Sequence, residues 1–125
     1  GSFFGVLPLA DDVLLAYGLR GHLYRSEDGG ESWTSIDTGT TAMLTDGVVT
    51  AEGAIVVVGL AGTVLVSDDG GRSFSYRKPA DRRGIASVVE GAPGTLVMVG
   101  EFGVRAVSVS ELKAQPGAAE GGAGR

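Results

Sequence analysis

Short apolar runs recur along this chain at a constant interval, each stopped by a glycine. Val13–Tyr17, Ile55–Val58 and Leu96–Val99 are continuous apolar runs, of the length expected for a strand covered on both faces and central in its sheet. After each run comes Gly-x-x-Gly and then a stretch in which polar and apolar residues partly alternate, His22–Ser26, Thr63–Ser67 and Val104–Ser108. That is the pattern of a strand nearer the outside. Ahead of each run lies a further segment, Phe3–Ala10, Met43–Ala51 and Ile85–Gly91, which reads as the innermost strand. A fourth strand is expected to start at Ser32 and at Ser73. No 3.6-residue periodicity persists, so helix content should be close to nil.

The interval is 41 residues, and it is marked by an octapeptide that occurs twice, SEDGGESW at Ser26–Trp33 and SDDGGRSF at Ser67–Phe74. The same spacing aligns Gly18, Gly59 and Gly100, then Gly21, Gly62 and Gly103, then Ser26, Ser67 and Ser108. The Asp-Gly-Gly at the centre of the octapeptide is tight-turn chemistry: a carboxylate that accepts backbone N–H bonds, and glycines that tolerate positive φ. Four-stranded units repeating every 40 to 50 or so residues are the signature of β-propeller blades. The expected fold is therefore all-β, with four-stranded antiparallel blades at 1–41 and 42–82 and a partial last blade at 83–113. Nearly three blades fall short of the roughly 4–8 that close a ring, so further blades are expected upstream. Self-association through open blade edges is the other consequence. The small, flexible residues of 114–125 read as a disordered tail.

At 43% hydrophobic and 20% charged residues the chain lies in the globular range. Its net charge of −5 argues against binding nucleic acid through the phosphate backbone, which needs a basic face. There is no cysteine, which excludes disulfides and thiolate metal sites. There is no Asn either, which excludes N-linked glycosylation. No apolar run is long enough to span a membrane. The chain opens on Gly1-Ser2, already in phase with the repeat, as expected of a fragment or a processed product.

The pattern Ser-x-Asp-x-Gly-x-Ser-Trp/Phe, met at Ser26, Asp28, Gly30, Ser32 and Trp33 and again at Ser67, Asp69, Gly71, Ser73 and Phe74, resembles the Asp-box, or bacterial neuraminidase repeat. The runs GLRGHLYRSEDGGESW and GLAGTVLVSDDGGRSF are most similar to the photosystem II assembly and stability factor-like β-propellers. The third unit departs from the pattern, with Ser110 where Asp is expected. The resemblance implies a non-enzymatic scaffold that binds a protein partner, and it implies export from a bacterial cytoplasm.

Asp28 and Asp69 are expected to tie the turns together, and Trp33 and Phe74 to bury apolar area at the start of the outer strand. Adjacent carboxylates at Glu27-Asp28 and Asp68-Asp69 do not form the pair that flanks a glycosidic bond, because strand neighbours point to opposite faces. Nor do they reach the 6–8 oxygens that calcium takes. His22 is the only histidine, too little for a triad or a histidine metal site, and no cofactor is expected. The alternative is part of a sialidase-like glycoside hydrolase, which needs a tyrosine paired with a carboxylate. Tyr17 falls in a buried run and Tyr24 in an outer strand, and Tyr76 is the third tyrosine. The purely structural reading is a blade set with no ligand of its own.

In an up-and-down sheet successive loops alternate between ends, so the Gly-x-x-Gly turns and the connections between units share the end opposite the octapeptides. At that end the repeats differ: Leu19-Arg20, Leu60-Ala61 and Glu101-Phe102 at the turns, and Arg77-Lys78-Pro79-Ala80-Asp81-Arg82-Arg83 after the second unit. That connection holds four of the ten basic residues. Arg20, Arg77, Lys78, Arg82, Arg83, Glu101 and Phe102 are the candidate partner-binding residues, with arginine suited to carboxylates or phosphates and Phe102 as an aromatic anchor.

Overall fold

The glycine-bounded apolar runs form the middle strands of three antiparallel sheets. The structure is a computed structural model and describes residues 3–77 and 81–114. Sheet 1 has the order β1 (Phe3–Ala10), β2 (Val13–Gly18), β3 (Leu23–Ser26), β4 (Thr34–Ser35). Sheet 2 repeats it with β5 (Leu44–Val49), β6 (Ile55–Gly59), β7 (Val64–Ser67) and β8 (Ser75–Arg77). Sheet 3 holds β9 (Ile85–Glu90), β10 (Thr95–Gly100) and β11 (Gly103–Ser108). The fold is all-β. The outer strands begin at Thr34 and Ser75, two residues later than the octapeptides imply. Among the described residues no helix is long and apolar enough to cross a membrane.

The sheets pack face to face, with sheet 2 in the middle and the inner strands β1, β5 and β9 as neighbours. Between sheets 1 and 2, Leu15, Tyr17 and Leu23 meet Leu44, Ile55, Val57 and Leu65. Between sheets 2 and 3, Val56, Val58, Val64 and Val66 meet Val88, Leu96 and Met98. Each fully buried aliphatic side chain contributes about 1.5–3 kcal/mol relative to exposure. β6 is covered on both faces as its apolar run implies, and β7, expected to be mixed, is buried throughout. β10 is different. Its second face is open, and Val99 is 45% exposed.

The aligned glycines serve close approach. A Cβ on Gly59 would lie 2.2 Å from the Met43 carbonyl oxygen, and one on Gly100 would lie 2.2 Å from that of Gly84. The next residue in each turn, Leu60 or Glu101, donates its N–H to that same carbonyl at 2.9 and 3.0 Å. These bonds pin each turn to the connection entering the sheet.

Sheet 3 departs from the repeat in two ways. In sheets 1 and 2 a three-residue turn separates the middle strand from the next, and Tyr17 faces Leu23 as Val58 faces Val64. In sheet 3 a two-residue turn, Glu101-Phe102, pairs Gly100 with Gly103 and Val99 with Val104. β11 is thereby slipped by one residue, which exchanges its two faces. Arg105 lands opposite Met98, and Val104 is left 73% exposed.

The second departure corrects the expectation of almost no helix. After Ser108 the chain forms α1 (Val109–Ala114). The Ser108 hydroxyl accepts from the Glu111 N–H at 3.0 Å, and the Glu111 carboxylate accepts from the Ser108 N–H at 3.0 Å. This reciprocal capping box starts a helix. Val109 and Leu112 bury against sheets 2 and 3, and Lys113 pairs with Asp68 at 3.0 Å. Ala114, read as the start of the tail, ends this helix, and 115–125 lie outside the described residues.

Candidate functional site

The two octapeptides fold alike. The Ser26 hydroxyl donates to Asp28 at 2.8 Å and accepts from the Gly30 N–H at 2.8 Å. The Asp28 carboxylate accepts from the Ser32 N–H at 2.8 Å and the Ser32 hydroxyl at 2.5 Å. Ser67, Asp69, Gly71 and Ser73 repeat the set at 2.8, 3.0, 3.0 and 2.5 Å. Gly29, Gly30, Gly70 and Gly71 all take positive φ. The serine hydroxyl leads the donors that hold the Asp28 carboxyl down at about 2, and Ser73 leads those holding Asp69 lower still. Every lone pair of these carboxylates that is accounted for serves the turn, the physical content of an architectural role. Glu27 turns away from Asp28 and pairs with the buried Arg25.

One expectation fails at the aromatic position. Phe74 packs against the core between sheets 1 and 2, but Trp33 is 40% exposed. Its indole N–H donates to the Gly30 carbonyl at 3.0 Å, so the ring lies over its own hairpin. Phe74 lies on the face of sheet 2 that sheet 1 covers. Trp33 lies on the corresponding face of sheet 1, where no described residues cover it.

The loop arrangement places the octapeptides at one end and the variable turns at the other. Gly29 donates to Asp12 in the β1–β2 turn at 2.9 Å, while Thr38 in the first connection donates to Gly21 at 2.9 Å. At the variable end Arg83, Glu101 and Phe102 are brought together, joined by two residues outside the candidate set, Asp81 and Arg105. The Arg105 guanidinium sits 4.0 Å from the Phe102 ring centroid and that of Arg83 at 5.9 Å. Asp81 receives both, Arg83 at 3.3 Å and Arg105 at 3.2 Å. The Arg83 N–H leads the causes that lower the Asp81 carboxyl to about 2. Glu101 accepts from the Gly84 N–H at 2.7 Å. Phe102 is therefore the floor of a guanidinium stack and also packs against the core between sheets 2 and 3.

Arg82 is exposed beside this stack. Arg20 is exposed at φ 60 on the turn of sheet 1, which neighbours β5. Arg77 ends β8 and is half-buried, and Lys78 lies outside the described residues. The slip in β11 that puts Arg105 beside Phe102 has no signal in the sequence except the changed turn.

Two further features emerge. Arg25 occupies the repeat position of Val66 and Val107, and its Nε donates to the Gly70 carbonyl at 3.1 Å, latching the first hairpin to the second. A cleft of about 360 Å³ opens beside it, lined by Arg25, Glu27, Ser32, Thr34, Ile36 and Arg72. Asp46 of sheet 2 acts on both neighbouring sheets: it faces the Tyr17 phenol of sheet 1, and it accepts from the Val88 N–H at 2.9 Å and the Ser87 hydroxyl at 3.1 Å of sheet 3. Tyr17 thus does meet a carboxylate, but burial first, and then Asp46, push its phenol up, which opposes the ionised form a nucleophile needs. Among the described residues no group of three or more His, Asp or Glu is placed to hold a metal ion.

None of the family models, curated proteins or solved structures compared with the chain matches it.

Proposed function

We propose that the chain is a run of blades from an Asp-box β-propeller, similar to the photosystem II assembly and stability factor-like proteins, acting as a non-enzymatic scaffold for a protein partner. The 41-residue repeat and the stacking of three antiparallel sheets along their inner strands support the blade reading. The observation that carries the binding role is the contrast between the two ends. One end repeats a self-satisfied serine–aspartate hairpin. The other presents turns of different sequence in the three sheets and, in the third, a guanidinium pair over Phe102 with Arg82 exposed alongside. Planar guanidinium donors suit carboxylates on a partner protein. Export from a bacterial cytoplasm belongs to the same proposal and rests on the resemblance.

The test is a pull-down from native lysate with the tagged chain, Arg82→Ala/Arg83→Ala, and Arg72→Ala as a control at the hairpin end. The proposal expects several-fold lower partner recovery for the double variant and unchanged recovery for the control. Equal recovery by all three removes the variable end from the binding role.

A further inference from the structure

Each sheet seats one face on the opposite face of the next, in a fixed register. Leu7 of sheet 1 lies over Gly47 of sheet 2, where an added Cβ would stand 3.2 Å from the leucine methyl. Val48, 41 residues after Leu7, packs in the same core as Val88, 41 residues after Gly47. The next member of the covering series is Val89, which is 54% exposed, beside the open Val99 and Val104 on the outer face of sheet 3. The first member of the covered series is Val6, 57% exposed, on the outer face of sheet 1 with half-buried Leu14 and with Trp33. Among the described residues the stack is thus bounded by two apolar faces of the two kinds that meet inside it.

We propose that these faces meet between copies: the outer face of sheet 1 of one molecule seats on the outer face of sheet 3 of a second, with Val6 of the first over Val89 of the second. The contact is head-to-tail, because its two sides are different faces. Every copy carries both sides, so two copies can close on each other and stack six sheets, within the range of about 4–8 that forms a ring. The association uses faces rather than strand edges. It rests on the repeat packing and not on the partner-binding reading; either can fail alone.

The chain has no cysteine, so single cysteines give clean reporters. Val6→Cys and Val89→Cys, carrying different tags, are mixed and oxidised. The proposal expects a disulfide-linked mixed dimer, no such dimer from either variant alone, and a native mass twice the 12.6 kDa of the chain. The emission of Trp33, the single tryptophan, should shift to the blue as the chain is concentrated. Val99→Arg, at an exposed position that leaves the fold intact by circular dichroism, should return the mass to that of one chain. A monomer at all concentrations overturns the proposal. Linkage of Val6→Cys to itself or Val89→Cys to itself also overturns it.

Discussion

Asp46 is the residue on which the stacking of the three sheets can be tested most quantitatively. Replacing it with Ala removes an acceptor shared by Ser87 and the Val88 N–H, and it leaves the N–H of a buried residue without that partner. Hydrogen bonds to a charged group contribute about 1.5–3 kcal/mol each, and an orphaned buried donor costs about 1–3 kcal/mol. Asp46 is only half-buried, so solvent screening brings each contribution toward about 1 kcal/mol. The two bonds then give an expected loss for Asp46→Ala of about 2 kcal/mol. For a chain of this length that lowers the melting temperature by about 8 °C. Tyr17→Phe removes only the hydroxyl that Asp46 faces and leaves both bonds to sheet 3, so it should cost less than about 1 kcal/mol. The double variant should cost less than the sum of the two. Thermal melts followed by circular dichroism give all three values. Asp46→Ala melting within about 2 °C of the parent would refute the view that this carboxylate ties sheets 2 and 3 together.

Acid should unfold the chain through its hairpins. Asp28 and Asp69 have folded pKa values below their unfolded values, so their stabilisation is complete above the unfolded pKa of about 4 and is lost as pH falls toward about 2. Melts between pH 5 and pH 2 should show this fall. Asp28→Asn/Asp69→Asn should flatten it, with Asp81 and Glu111 leaving a residual slope of the same sign. Phe74→Ala should cost about 2 kcal/mol, below the 3–5 kcal/mol of a fully buried phenylalanine, and Trp33→Ala about 1 kcal/mol; denaturant unfolding that ranks them the other way would contradict the burial difference.

The strands were readable because two periods coincide, strand-length apolar runs within a unit and 41 residues between units, and because glycine stands where a carbonyl of the entering connection touches the turn. Helix α1 had a signal too, Ser108-Val-Ser-Glu111, but Ser108 also continues the Ser26 and Ser67 series. One serine serves two local structures, and the residues after it decide which. The exposure of Trp33 was not readable. Its position matches Phe74, and the difference lies in whether a neighbouring sheet covers the face. Asp46 carries no local signal in the sequence, because the groups it faces come from other sheets. The Arg105–Phe102 stack depends on a one-residue slip that composition does not record.

The central claim is that the octapeptide hairpins are architecture and that recognition belongs to the opposite end. Hydrogen exchange of the chain, alone and with its captured partner bound, tests this most directly. The account predicts slowed exchange in residues 81–84 and 101–105, with 26–33 and 67–74 unchanged. Protection centred on the hairpins, with the Arg83–Phe102–Arg105 end exchanging as in the free chain, would contradict it.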